Sequence, residues 1–193
     1  MLRIKLGDQH QAQADLELIK QEIDRVGTIL LRLREPESTS AGNGDIALNK
    51  LVTDIARIFQ QSLCATHQIT LELDLGDVPP LRSNVTHLQQ ILTNLLKNAV
   101  EALPPNGRIT LGTDSGVMVN GRIFAVINVA DNGPGIPETV MRQLFSPVIS
   151  NKGAGHSGLG LSITKKLMDE IGGSIVCKSN RNGTQFQLLI PME

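Results

Sequence analysis

Apolar residues recur early in the chain at alternating intervals of three and four residues, which is typical of a helix with one narrow apolar stripe. The stripe lies within residues 11–33 and consists of Leu16, Ile19, Ile23, Val26, Leu30 and Leu33. The pattern predicts an amphipathic helix. It is either half of a helical hairpin or dimer seam, or a helix packed on its own domain. Residues 36–45 are polar, with Pro and Gly, and predict a linker.

Beyond the linker, helical and strand periodicities alternate. The predicted helices are Leu48–His67, Asn84–Leu103, Pro137–Leu144 and Gly158–Ile171, the last ending at Gly172-Gly173. The predicted strands are Ile69–Leu75, Arg108–Thr113, Arg122–Ala130, Ser174–Lys178 and Thr184–Ile190. A glycine-rich turn is expected after Thr113. Because the strands cluster late, we expect an α/β two-layer sandwich, a mixed sheet with helices on one face, preceded by the N-terminal helix.

Composition narrows the classes of function. The formal net charge is -1 without a basic block, which disfavours a nucleic-acid surface. The only aromatic residues are four Phe, so aliphatic side chains would have to pack any bound base. No apolar run reaches the roughly 18 residues of a membrane helix and no signal peptide is visible. We therefore expect a cytoplasmic chain, with membrane attachment of a longer parent protein through upstream segments left open. Cys64 and Cys177 fit no metal spacing and are predicted to be buried as small hydrophobic residues.

The second predicted helix carries two asparagines, Asn94 and Asn98, one turn apart on the same face. Asn is a poor mid-helix residue because its side chain competes for backbone hydrogen bonds. An amide oxygen suits Mg²⁺, which shares phosphate oxygens; two solvated surface amides are the alternative. Beside them runs a stripe predicted to be buried, made of Leu88, Ile91, Leu92, Leu95, Leu96, Ala99 and Leu103.

Glycines cluster twice between residues 130 and 163, which read ADNGPGIPETVMRQLFSPVISNKGAGHSGLGLSI. In the first cluster Asp131 follows a predicted strand, and an ionised carboxylate, which only accepts hydrogen bonds, would select the exocyclic amine of adenine. A simple turn is the alternative reading of DNGPG. The second cluster opens a helix, whose N-terminal amides favour phosphate, and Lys152 adds a positive charge. It fits neither the P-loop nor the dinucleotide fingerprint.

Four segments, NLLKNAVEA, DNGPGIP, LFSP and GHSGLGLSI, resemble in this order the four boxes of the GHKL ATPase superfamily, in its branch of bacterial sensor histidine kinases. The segments NAVEALP and GHSGLGLSI are similar to the corresponding segments of the nitrogen-regulator-type kinases. The resemblance covers residues 48–193. It implies a Bergerat-type sandwich that binds ATP and Mg²⁺ and transfers the γ-phosphoryl group to a histidine, for relay to an aspartate of a response regulator.

The resemblance also implies roles for individual residues. Asn98 would hold Mg²⁺, and Asn94 would line the phosphate side in a catalytic role with Lys152. Asp131 would accept from the adenine amine while Gly133 and Gly135 admit the ring. Packing around the base would come from Ala102, Ile136 and Leu161. Thr184 matches a position near the Asp and its bound water. The phosphates would be reached by Lys152 and by the amides of Ser157, Gly158, Leu159 and Gly160.

One contrast with other branches of the superfamily and two departures from the family pattern bear on function. Asn94 stands where gyrase B, mismatch-repair ATPases and heat-shock chaperones have a Glu that activates water, which favours phosphotransfer over hydrolysis. The phenylalanine box, Phe145 to Val148, lacks its usual acid. The expected ATP lid, Phe145–Ser157, contains Ser150-Asn151-Lys152 instead of the common Ser/Thr-Thr-Lys.

The N-terminal QEIDRVGTILLRLRE resembles the second helix of a dimerisation hairpin, whereas none of His10, His67, His87 and His156 matches the phosphoacceptor. We therefore expect a fragment of a longer kinase. Its predicted parts are a hairpin helix (1–35), a linker (36–45) and an ATP-binding catalytic domain (46–193). The expected partners are the kinase's own dimerisation and phosphotransfer domain, in a homodimer, and a response regulator. The alternatives are a serine kinase acting on an anti-sigma antagonist, and a non-catalytic adaptor with a decayed ATP site.

Overall fold

A computed structural model describes residues 44–146 and 160–192. The predicted N-terminal helix, most of the linker and residues 147–159 lie outside these ranges. The described part begins with β1 (Gly44–Ile46), which pairs in antiparallel fashion with β3 (Leu81–Ser83). Gly44 and Asp45, the last two residues of the predicted linker, therefore belong to a strand.

The main sheet has five strands in the order β2-β4-β5-β7-β6. Their bounds are Thr70–Leu75 (β2), Arg108–Val119 (β4), Arg122–Asp131 (β5), Ser174–Asn180 (β6) and Gly183–Pro191 (β7). Strands β2 and β4 run parallel, and the other neighbours are antiparallel. The predicted mixed sheet is confirmed.

The hairpin between β4 and β5 corrects one prediction. We expected a strand ending at Thr113 and a glycine-rich turn after it, but β4 continues to Val119. A register shift between Asp114 and Val117 marks a bulge, in which Gly116 has a φ of 78°. The reversal occurs at Asn120-Gly121, where φ is 51° and 79°, as in the tight turns that match strand twist.

In the part of the chain that the structure describes, four helices accompany the sheet, and their bounds are Leu48–Phe59 (α1), Val85–Ala102 (α2), Glu138–Met141 (α3) and Gly160–Glu170 (α4). α1 continues as a π-helical turn, Gln60–Cys64. Asn84 caps α2 by accepting from the backbone N–H of His87 at 3.1 Å. The predicted stop of α4 is confirmed, since Gly172 has a φ of 70° and the Gly173 N–H donates to the Met168 carbonyl at 2.8 Å.

The core lies between the helices and one face of the sheet. The whole predicted stripe of α2 is buried, and it packs in the same layer as buried residues of the central strands, among them Ile109, Leu111, Ile127 and Leu188. On the opposite face the Asn128 Oδ1 accepts hydrogen bonds from the side-chain amides of Gln185 and Gln187. A helical layer packed on one face of a single sheet makes this a two-layer sandwich.

Burial is partial along β2 and at one of the two cysteines. Ile69, which precedes β2, is buried, whereas Leu73 and Leu75 of this edge strand are 42% and 37% exposed. Cys64 is buried as predicted, whereas Cys177 is half-buried.

Candidate functional site

Asp131 is the last residue of β5 and lies directly opposite Thr184 of β7. Its Oδ1 accepts a hydrogen bond from the backbone N–H of Gly133 at 2.9 Å. Burial raises the pKa of this carboxyl, and hydrogen bonds from the backbone of Gly133 and Thr184 act in the opposite direction. The end of the sheet thus presents a half-buried carboxylate held by backbone donors.

The two glycines after Asp131 pack against protein atoms. Gly135 has a φ of 77°, and a Cβ there would lie 1.9 Å from the backbone oxygen of Asn180. A Cβ on Gly133 would lie 2.9 Å from the Asp131 Oδ1 and 3.4 Å from the Leu103 Cδ2. The expectation that both glycines admit a nucleotide ring stays a prediction. The structure shows in addition that the glycine box (residues 131–136) closely approaches the β6–β7 turn and the end of α2.

Ser179 joins the glycine box to the last two strands, and our reading of the sequence missed it. Its Oγ accepts from the backbone N–H of Ile136 at 2.8 Å and lies 3.0 Å from the Oγ1 of Thr184. Thr184 is 7% exposed. Nothing in the local sequence distinguishes Ser179, because its partners are contributed by segments 5 and 43 residues away.

The asparagine pair of α2 lies beside the start of α4. The Asn94 side-chain amide lies within hydrogen-bonding distance of the Gly160 carbonyl, at 3.3 Å, and of the Thr164 Oγ1, at 3.4 Å. Thr164, also missed by the sequence, is fully buried and donates to the same carbonyl at 2.9 Å. Asn94 therefore ties α2 to the first turn of α4. Asn98 is half-buried one turn further on, and its amide bonds to no other described residue.

The remaining predicted residues divide into two groups. Ala102 is exposed at the end of α2, where its carbonyl lies 3.7 Å from the position of a Cβ on Gly133, so this helix end adjoins the glycine box. Ile136 and Leu161 are half-buried, and Gly160 has open space on its Cβ side. Lys152, Ser157, Gly158 and Leu159 lie outside the described residues, as does the expected lid from residue 147 onward.

Residues 83–193 match the family described as histidine kinase-, DNA gyrase B-, and HSP90-like ATPase. The chain belongs to this family. It is 30% identical over 182 residues to the sensory histidine kinase/phosphatase NtrB of Klebsiella oxytoca, a match that covers 91% of this chain and 51% of NtrB. The C4-dicarboxylate transport sensor protein DctB of Rhizobium meliloti is 33% identical over 184 residues, covering 93% of this chain and 28% of DctB. The chain thus spans about half the length of NtrB.

Solved structures agree with this assignment. The nucleotide-free catalytic domain of histidine kinase ThkA superposes with a TM-score of 0.67 at 30% identity, covering 78% of this chain and 97% of that domain. ThkA in its complex with the response regulator TrrA gives a TM-score of 0.67 at 27% identity, covering 91% of this chain and 50% of ThkA. The predicted GHKL membership and α/β sandwich are confirmed: the chain carries the ATP-binding catalytic domain of a sensor histidine kinase. None of the helices described is long and apolar enough to span a bilayer.

Proposed function

We propose that this domain binds Mg-ATP and transfers its γ-phosphoryl group to a histidine of a dimerisation and phosphotransfer domain, for relay to a response regulator. The observation that carries the proposal is the half-buried Asp131 carboxylate at the end of β5, held by the backbone N–H of Gly133 and placed beside the ends of α2 and β7.

This carboxylate selects the base. When ionised it only accepts hydrogen bonds, and the exocyclic amine of adenine donates them. Guanine has an oxygen at the corresponding position, which would face the carboxylate acceptor to acceptor. Asp131 is half-buried. A base that places an acceptor against it would leave the carboxylate without a hydrogen-bond donor, which costs binding free energy. Ala102, Ile136 and Leu161 supply the aliphatic packing that a chain without Trp or Tyr requires.

The phosphates fit between α2 and the beginning of α4. Asn98 has an amide oxygen available, since it bonds to no other described residue. No group of three His, Cys, Asp or Glu able to hold a metal occurs among the described residues, so Mg²⁺ would be held by Asn98 together with phosphate oxygens. When bound, Mg²⁺ neutralises charge on the phosphates. The amides at the start of α4 favour an anion, and Lys152 and residues 157–159 would complete this side.

Asn94 favours phosphotransfer over hydrolysis because its side chain is an amide. Its amide nitrogen faces Gly160 and Thr164, and an amide cannot serve as the general base that activates water. Asn94 instead positions the start of α4. By similarity to ThkA, whose structure with TrrA contains a response regulator, we propose that the parent kinase acts on such a regulator and does so as a homodimer.

Isothermal titration of Mg-ADP into the wild type, Asp131→Asn and Asp74→Asn tests the proposal. Asp131→Asn keeps the shape but replaces an acceptor with a donor, so we expect affinity to fall more than tenfold, about 1.4 kcal/mol. Asp74→Asn, which alters an exposed carboxyl of the edge strand, should bind like the wild type. Absence of binding by the wild type would overturn the proposal, as would unchanged binding by Asp131→Asn.

A further inference from the structure

The hydroxyl of Thr164 lies between α2 and the first turn of α4. Thr164 is fully buried, and its Oγ1 is 2.9 Å from the carbonyl oxygen of Gly160 in the same helix and 3.4 Å from the side-chain nitrogen of Asn94 in α2. That nitrogen is also 3.3 Å from the Gly160 carbonyl oxygen. The three polar groups therefore form a closed triangle between the two helices.

The direction of each hydrogen bond in this triangle follows from which groups carry hydrogen. The Gly160 carbonyl carries none and can only accept, so the Asn94 atom that faces it is the NH2 nitrogen. Exchanging the nitrogen and the oxygen of the amide would bring two acceptors to 3.3 Å. An NH2 group in turn is a donor only. The Thr164 hydrogen therefore goes to the Gly160 carbonyl, and the Thr164 oxygen accepts from Asn94.

This arrangement determines the direction of the Asn94 amide dipole. The amide oxygen and nitrogen lie on opposite sides of the amide carbon, so an NH2 group held at α4 turns the oxygen away from Gly160. Among the described residues none donates a hydrogen bond to that oxygen. It lies on the helix face that also carries Asn98, one turn further on. An amide oxygen favours a cation there, whereas an NH2 group would favour a bare phosphate.

We propose that Thr164 is a positioning residue: with the Gly160 carbonyl it holds the Asn94 amide so that the oxygen, and not the NH2 group, is presented to the nucleotide phosphates and their metal. This role rests on the proposed nucleotide-binding function. The alternative is a purely structural hydroxyl, satisfied within α4 by its bond to the carbonyl four residues earlier. Such a hydroxyl would affect ADP binding equally with and without Mg²⁺, so metal dependence separates the two roles.

The test measures the dissociation constant of ADP in EDTA and in Mg²⁺, and compares the EDTA/Mg²⁺ ratio between variants. Thr164→Val keeps the shape of the side chain but removes one of the two acceptors that hold the Asn94 NH2 group, which can then turn toward the phosphates. We expect the ratio to fall by about three- to tenfold, the effect of one hydrogen bond. Thr164→Ser, which keeps the hydroxyl, should retain the wild-type ratio.

The chain offers a matched control in a second threonine–asparagine pair. Thr113 of β4 is also buried, and its hydroxyl donates to the Oδ1 of Asn49 in α1 at 2.6 Å. Thr113→Val should therefore lower the free energy of unfolding but leave the EDTA/Mg²⁺ ratio at the wild-type value. Asn94→Leu removes the amide itself, so adding Thr164→Val to this variant should lower the ratio no further.

The outcomes separate this inference from the function on which it rests. A ratio lowered by Thr164→Val and retained by Thr164→Ser supports the proposal. Weaker binding at an unchanged ratio shows that the hydroxyl is structural and overturns it, as do unchanged binding in both conditions and a wild type whose affinity is independent of Mg²⁺. A wild type that binds ADP in neither condition refutes the proposed function itself. If Thr164→Val does not fold, Thr164→Cys supplies a weaker acceptor of similar size, and an unchanged ratio there would also overturn the inference.

Discussion

Gly135 offers a quantitative test of how the glycine box packs. A Cβ at this position would lie 1.9 Å from the Asn180 oxygen and 2.8 Å from the Asn180 carbonyl carbon, whereas ordinary contacts begin at 3.4 Å. Backbone atoms would therefore have to separate by more than an ångström. Gly116 is the matched control, because its φ of 78° equals the 77° of Gly135 within a degree while nothing lies within 4 Å of its Cβ position.

The two substitutions to alanine separate strain from overlap. An L-residue in the left-handed region costs about 1–2 kcal/mol, so Gly116→Ala should lower the free energy of unfolding by about that amount. Gly135→Ala adds an overlap with fixed backbone, and overpacking costs about 1–3 kcal/mol. We therefore expect a total loss of about 2–5 kcal/mol for Gly135→Ala, and the difference between the variants reports the close approach alone.

Urea denaturation measures both losses, and Mg-ADP titration measures their consequence for the site. At this chain length each kcal/mol corresponds to a decrease in Tm of about 2–4 °C. Gly116→Ala, in the distant hairpin, should bind Mg-ADP like the wild type, whereas Gly135→Ala should bind it more weakly because the box moves away from β6. Equal destabilisation by the two substitutions would refute the close approach of Gly135 to Asn180.

Three further predictions concern a helix cap and two titrating groups. Asn84→Ala removes the acceptor for the His87 N–H and should lower the free energy of unfolding in urea by about 1 kcal/mol; no change would contradict the cap. Burial and the nearby charge of Asp131 raise the pKa of Cys177 to about 11, so its alkylation rate should still increase above pH 10, and a plateau near pH 9 would contradict this. The raised pKa of Asp131 means that its charge opposes folding at neutral pH and that this penalty disappears on acidification through the folded pKa. Asp131→Asn should thus be more stable than the wild type at pH 7, by a margin that shrinks toward pH 3 in denaturant titrations, and a margin independent of pH would contradict the shift. ADP affinity of the wild type should decline over the same acidification.

The sequence alone predicted those elements that are formed by interactions between residues close together in the chain. The buried stripe of α2 and its start at Asn84 follow from helical periodicity and capping, and both involve contacts within a few residues. The end of α4 at Gly172-Gly173 is equally local. Asp131 was singled out because a carboxylate follows a predicted strand and precedes glycines, a pattern that by itself is also typical of a turn. The order of the four motif segments along the chain indicated the family.

Tertiary structure decided what depends on a distant partner. The segment around Gly116 could either reverse the chain or form a bulge, and pairing with β5 selected the bulge, with the reversal at Asn120-Gly121. The close approach of Gly135 to backbone depends on the position of Asn180, 45 residues later in the chain. Ser179 acquires its role in the same way. Hydrogen bonds and close contacts between segments far apart in sequence leave no periodic signal, so the chain had to be folded before they could be recognised.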